Sequence, residues 1–465
     1  MTIDTTHVGS LPRGSELTPL LLARDKGEAY DAAEFDRVVQ AAVDEGVRKQ
    51  VECGVTIVSD GELGKVGYST YMIERLTGFG GHIDRKPAAD LAAHPDLSKK
   101  LSAMMGSQEF TRASCIGPVR LKTLEPLHED IRRFRNALDK HGKPGVRGFL
   151  NAASPGLVTA FQVNRHYPSH EAYLADLVDA MKPEYEAIVA AGFDIQLDCP
   201  DLAMSRHTGY QDQEEAEFLK TAAANVEALN AATANIAPER LRMHVCWGNY
   251  EGPHDCDIDL SKIIDTVIAA RPATVLFEAA NPRHEHEWKV WRNAKLPDYK
   301  LLAPGLIDTC SNYVEHPELI AQRLERYIGI VGVDRVVAST DCGFGTFAGY
   351  GKIDPDGPGR SCARCVKAPT SPKPAPGWPH ERRPHARSRA RDRARLRQAR
   401  RPLRQPQRRG GLGGGGRALC KGRAHGAPLR SRRLDRGAGG DPCCLHRACR
   451  AHHAARVLQR RNHRP

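Results

Sequence analysis

His244 and Cys246 flank a single valine, and on a β-strand that alternation turns both side chains to one face, where an imidazole and a thiolate can grip one ion. Glu278 and Cys342 extend the set to one nitrogen, two sulfurs and a carboxylate. That donor set suits Zn²⁺, which takes soft thiolates together with imidazole and carboxylate in a tetrahedron. The spacing is not that of a zinc finger, because 34 residues separate His244 from Glu278 and 64 separate Glu278 from Cys342. Only a fold that gathers distant strand ends can bring them together. Each residue taken singly has another reading: Cys246 and Cys342 as small buried hydrophobes, His244 as a core imidazole, Glu278 as half of an ion pair.

The elements that must do this gathering are visible as short apolar runs alternating with helical patterns, the mark of an α/β chain with parallel strands. The runs are 7–9, 56–59, 146–151, 193–197, 241–245, 274–277, 301–304 and 335–339. Between them, Val38, Val39, Ala42, Val43 and Val47 share one helical face, and Leu260, Ile263, Ile264, Val267 and Ile268 share another behind a cap expected at Asp259. Eight such units predict a (β/α)8 TIM barrel rather than an open doubly wound sheet, which usually has fewer strands. The runs end in polar clusters: Gly9-Ser10, Asp60-Gly61-Glu62, Asp198-Cys199-Pro200-Asp201, His244-Val245-Cys246, Glu278, Asp308 and Asp341-Cys342-Gly343. In a barrel the carboxyl ends of all strands converge on one mouth, so these clusters would share one site.

Composition divides the 465 residues in two. The formal net charge is +12, yet residues 352–465 hold 31 Lys+Arg against 6 Asp+Glu, so the part before them is acidic. We expect domains at 1–353, the barrel, and 354–465, a disordered Arg-rich tail of low complexity that cannot bury a core. Its Arg, Pro, Gly and Ala bias reads as out-of-frame translation of a GC-rich gene. The competing reading is a phosphate-binding arm, which would make the chain a nucleic-acid-binding protein. Nucleic acid is not the partner we expect. Cys362 and Cys365 lack a second CxxC at zinc-ribbon spacing, and the tetraglycine at 413–416 lacks the Gly-Lys-Ser/Thr of a phosphate loop. No apolar run reaches membrane-spanning length and no secretory leader opens the chain, so the expected location is cytoplasmic. Seven widely spaced cysteines in the acidic part read as reduced thiols or metal ligands rather than a disulfide framework. Residues 80–106 read as a loop-plus-helix insertion near the mouth.

The runs HVGSLPR (7–13), VSDGE (58–62), QLDCPD (196–201), HVCWGNYEGPH (244–254), FEAANPR (277–283), PGLIDTCSNYVEHPE (304–318) and STDCGFGTF (339–347) resemble the cobalamin-independent methionine synthase family. They are most similar to its short single-barrel branch, which also holds the epoxyalkane:coenzyme M transferases. The resemblance implies a Zn²⁺ cofactor held by His244, Cys246, Glu278 and Cys342, with the substrate thiol displacing or joining a ligand. It implies that Ser10, Glu62 and Asp198 hold homocysteine, a hydroxyl near its carboxylate and two carboxylates around its ammonium. The implied function is a thiol S-methyltransferase like 5-methyltetrahydropteroyltriglutamate–homocysteine methyltransferase, in methionine biosynthesis, with a small-molecule thiol and a methyl or alkyl donor as partners. The alternative is epoxide opening by a sulfonate thiol such as coenzyme M, which would look to a cation such as Arg13 or Lys65. Members that use methyltetrahydrofolate carry a histidine after strand seven. Here the stretch is Asp308-Thr309-Cys310-Ser311, leaving Asp308 and His316 as the catalytic candidates, although His316 before Pro317 also reads as a helix start. The second, N-terminal barrel of the full-length synthases and the eighth helix are both expected to be missing.

Overall fold

Parallel strands covered on both faces carry mostly apolar, buried side chains, and six runs form such strands in the computed structural model, which describes residues 3–81, 86–105, 113–349 and Ile353. The strands are β1 (Ile57–Ser59), β2 (Phe79–Gly80), β3 (Ser114–Cys115), β4 (Arg147–Ala153), β5 (Asp194–Asp198), β6 (Leu241–Val245), β7 (Thr274–Phe277) and β8 (Leu301–Pro304). Six form one parallel sheet in the order β1-β4-β5-β6-β7-β8, while β2 and β3 pair as a small antiparallel ribbon. Helices Glu125–His141, His170–Ala190, Glu215–Ala232, Leu260–Ala269 and Trp288–Asn293 occupy the connections between successive strands of the large sheet. The architecture is α/β with a curled parallel sheet.

The runs at 7–9 and 335–339 are not full strands. The N-terminal segment is bridged at Thr5, just before the first run, to Ala338, and the second run makes single parallel bridges from Val336 to Leu302 and from Ser339 to Gly305. Threonine side chains enter the pairing just before the first run: Thr5 N donates to Thr56 Oγ1 (2.9 Å) and Thr6 Oγ1 donates to Ile57 O (3.0 Å), so side chains take places that a longer ladder would fill. The backbone still links the sheet's two edges. Ile57 N donates to Thr5 O (3.0 Å), Thr6 N to Ala338 O (2.8 Å) and Val337 N to Leu302 O (2.9 Å). Val8, Ile57, Phe149, Leu276, Ala303 and Val337 form an apolar cluster of their own, drawn from all round this curve.

Helix starts follow local chemistry. Asp31 Oδ1 accepts from Ala33 N and Glu34 N at the head of Ala32–Glu52, and Ser169 Oγ accepts from Ala172 N at the head of His170–Ala190. The cap expected from the Asp259 side chain is absent. Glu287 Oε1 reaches across instead and accepts from Leu260 N at 2.8 Å. Of the 80–106 insertion, the described part holds helices Ala89–Ala92 and Pro95–Met105, and Asp90 is fully buried as an acceptor for Tyr250 Oη (2.8 Å) and His254 N (2.9 Å). The chain divides into units Met1–Trp378 and Pro379–Pro465, and every described residue lies in the first. The basic stretch 354–465, with Cys362, Cys365 and the tetraglycine, lies outside the described residues. No helix among them is long and apolar enough to cross a membrane.

Candidate active site

Strand β6 delivers His244, and Cys246 follows one residue beyond its end; Cys342 arrives from the turn after the bridged segment at 336–339. One ligand atom from each of these three buried side chains lies within 4.8 Å of the others. His244 Nε2 donates to the Asp341 carbonyl at 3.1 Å, which leaves Nδ1, 3.8 Å from Asp198 Oδ1, as the ring nitrogen open to an ion. The Cys342 thiol is pushed well above the ordinary range by its hydrogen bond with Cys246 and then by burial. Two thiols packed together beside an imidazole are a donor set that a divalent cation would bind as thiolates. One nitrogen and two sulfurs also match the three-ligand pattern of catalytic zinc sites, which keep a fourth position open.

The same cavity, with about 420 Å³ of empty space counting that open to solvent, is lined by Ser10, Glu62, Asp198, His244, Cys246 and Cys342. Six of the nine residues expected to act together therefore do meet. Glu62 sits at φ 52° directly after Gly61 at φ 72°, two left-handed residues in succession, unusual for a side chain as long as glutamate. Arg13 braces this turn by donating Nη2 to Glu62 O (3.0 Å) and Nε to Lys65 O (2.9 Å). Burial raises the Glu62 carboxyl to about 7, with Lys65 opposing and Asp198 reinforcing the rise. Its Oε2 is buried without a hydrogen-bond partner, Lys65 Nζ standing off at 3.9 Å. Asp198 is also raised by burial, and it accepts from Asn151 Nδ2 (3.1 Å) and Gln196 Nε2 (3.2 Å).

Three expected residues stand elsewhere. Glu278 is outside the 4.8 Å grouping. Its Oε1 accepts from Trp247 N (2.7 Å), and its Oε2 accepts from Asn281 Nδ2 (2.7 Å) and Arg283 Nη2 (2.6 Å). Asp308 turns its carboxylate to Cys310 N (2.9 Å) and Ser311 Oγ (2.8 Å). His316 is exposed and caps helix Pro317–Val331, its Nδ1 accepting from Glu318 N at 3.2 Å. Neither Asp308 nor His316 lines the cavity. Cys310 lies closer to it, donating to Oδ1 of the cavity residue Asn249 at 3.2 Å.

A profile of the family described as "Cobalamin-independent synthase, Catalytic domain" matches residues 3–350. The chain belongs to that family. Within it, the methionine synthase of Thermococcus kodakarensis is 24% identical over 348 residues, covering 73% of this chain and 86% of the relative. A shorter stretch of 143 residues is 29% identical to the 2-hydroxypropyl-CoM lyase of Xanthobacter autotrophicus, covering 25% of this chain and 38% of that one. The fold is shared with the B12-independent methionine synthase of Shewanella sp. W3-18-1, with a TM-score of 0.57 at 18% identity over 80% of this chain and 97% of that one.

In this family member a second cluster went unseen in the sequence. His207, His254 and Asp257 also bring ligand atoms within 4.8 Å of one another. Arg283 already occupies it, with Nη1 at 2.7 Å from His254 Nδ1 and 3.4 Å from Asp257 Oδ2, so its positive charge is supplied from within the chain. The cluster thereby anchors the guanidinium that holds Glu278. Nothing in the spacing of residues 207, 254 and 283 could have announced it.

Proposed function

We propose that this chain is a zinc-dependent thiol S-methyltransferase of the methionine synthase type, transferring a methyl group to the sulfur of homocysteine. The observation that carries the reading is the single cavity in which the His244, Cys246 and Cys342 trio faces Ser10, Glu62 and Asp198. We read the sheet and the two bridged segments as a (β/α)8 barrel whose mouth is this cavity. The free cysteines of the described residues suit a reducing, cytoplasmic setting.

His244, Cys246 and Cys342 would hold the ion. Bound zinc supplies the positive charge that keeps a ligated sulfur deprotonated near neutral pH and orients it. Glu278, its charge balanced by Arg283 and both oxygens already accepting, is a weak further donor, and a thiol can take its place at the fourth position. Glu62 and Asp198 are two buried carboxyls whose charged forms a substrate ammonium would stabilise. Ser10 is placed beside Gly343 to meet the carboxylate of the same amino acid. In the transfer the sulfur–methyl bond forms as the donor–methyl bond breaks, the thiol proton having left on binding. Metal analysis of purified full chain tests this: one zinc per wild-type chain, lost in Cys342→Ser together with methionine formation from homocysteine. Wild-type protein that takes up no zinc, or a Cys342→Ser protein with its full content, overturns the reading.

A further inference from the structure

Asp198 does not stand by itself, and what orients it lies deeper in the sheet. Gln196 is two residues earlier on β5, so its side chain shares the inner face with Asp198, and Arg242 stands two residues before His244 on the neighbouring β6. Arg242 is buried with its guanidinium 3.7 Å from the centroid of the Phe149 ring. Its Nη2 donates to Gln196 Oε1 at 2.9 Å and to His7 O at 3.1 Å, while Nε and Nη1 have no hydrogen-bond partner.

A guanidinium can only donate, so the Gln196 amide can face Arg242 only with its oxygen. That fixes Gln196 Nε2 toward Val8 O and Asp198 Oδ1, the latter at 3.2 Å. Flipping the amide would set an oxygen against two acceptors and a nitrogen against a cation. We propose that Arg242 and Gln196 are positioning residues for recognition of the substrate ammonium: Arg242 locks the Gln196 amide, and the locked amide holds the Asp198 carboxylate in the orientation that accepts an α-ammonium group. The inference rests on the homocysteine reading of the cavity and names what in the barrel floor makes the site selective for an amino-acid thiol.

The test is equilibrium binding, by calorimetry on zinc-loaded full chain, of homocysteine and of its des-amino analogue, a mercaptobutyrate. A hydrogen bond to a charged group is strong enough that its loss shifts affinity by about tenfold. Gln196→Met and Arg242→Met should each weaken homocysteine on the order of tenfold and leave the des-amino thiol within about twofold, so that discrimination falls while the thiol site persists. Arg242→Lys, which keeps a donor for Gln196 Oε1, should restore most of the discrimination. Binding of the des-amino thiol and zinc content report on folding in every variant, and if Gln196→Met does not fold, the Arg242→Lys and Arg242→Met pair decides. If Asp198→Asn abolishes discrimination while the Gln196 and Arg242 variants keep it, the positioning role is wrong and the cavity reading stands. If Asp198→Asn and Glu62→Gln also keep it, the homocysteine reading itself fails.

Discussion

Glu62→Gln should make the protein more stable at alkaline pH while making it a poorer binder, and the size of the gain follows from burial. The wild-type carboxyl rises from an ordinary 4.5 to about 7 because burial penalises its charged form more than Lys65 relieves it. Between those two values the folded chain binds more protons than the unfolded one, so stability falls as pH rises through the window. Below about pH 4.5 both states hold the proton and this effect vanishes. Above about pH 7 the full cost of ionising the buried group, about 3 kcal/mol, weighs on the folded state. Glutamine carries no charge at any of these pH values. Urea unfolding of metal-stripped wild type and Glu62→Gln should therefore coincide near pH 4.5 and diverge by about 2 to 3 kcal/mol at pH 8 in favour of the variant. Homocysteine should narrow the gap at pH 8, since its ammonium supplies the missing cation to wild type alone. A gap independent of pH, or a variant less stable at pH 8, would refute the argument that ionising Glu62 is costly in a site short of cations.

An ideal Cβ on Gly343 would lie 2.0 Å from Ser10 Oγ, so Gly343→Ala should swing that hydroxyl aside and weaken homocysteine binding severalfold with modest loss of stability. In Ser10→Ala the same Gly343→Ala change should cost little more, a non-additivity readable by a double-mutant cycle. Arg75, buried, donates to Glu184 Oε1 (2.6 Å) and Asp130 Oδ2 (2.7 Å), so Arg75→Met strands two carboxylates and should lower unfolding free energy by about 3 to 5 kcal/mol. Restoring part of that loss with Glu184→Gln in the same chain would confirm the cause.

Strands β4 to β8 were readable in the sequence because a parallel sheet covered on both faces is built from mostly apolar runs, the buried Asn151, Gln196 and Arg242 being polar exceptions inside them. For the same reason Ser10, Glu62, Asp198, His244, Cys246 and Cys342 stood out, polar side chains at the ends of apolar runs. What could not be read depended on pairings across the fold. The Asp259 cap looked sound locally, yet Glu287, distant in sequence, takes the helix head. Glu278 looked like a free ligand, and Arg283 claims one of its oxygens only because the His207, His254 and Asp257 cluster holds the guanidinium in place. His316 shows the opposite case: local chemistry, a residue before proline at a helix start, decided its role, and the distant one did not follow.

The two alkylation readings separate on where the cations go. A sulfonate thiol needs a guanidinium or ammonium turned into the cavity. Arg13 is half-buried with donors directed at the carbonyls of Glu62, Lys65 and Gly345, so its charge braces the loop and does not face a ligand. Lys65 donates to Asn151 O at 2.8 Å and stands 4.4 Å from the centroid of the Tyr71 ring, again committed to the chain. Against these spent cations the cavity presents Glu62 with an unpartnered oxygen and Asp198 held by two amides. A carboxyl oxygen left unpartnered beside a pair of thiols asks for a ligand that brings its own positive charge along with its sulfur. Of the two candidate thiols, only the amino acid does so.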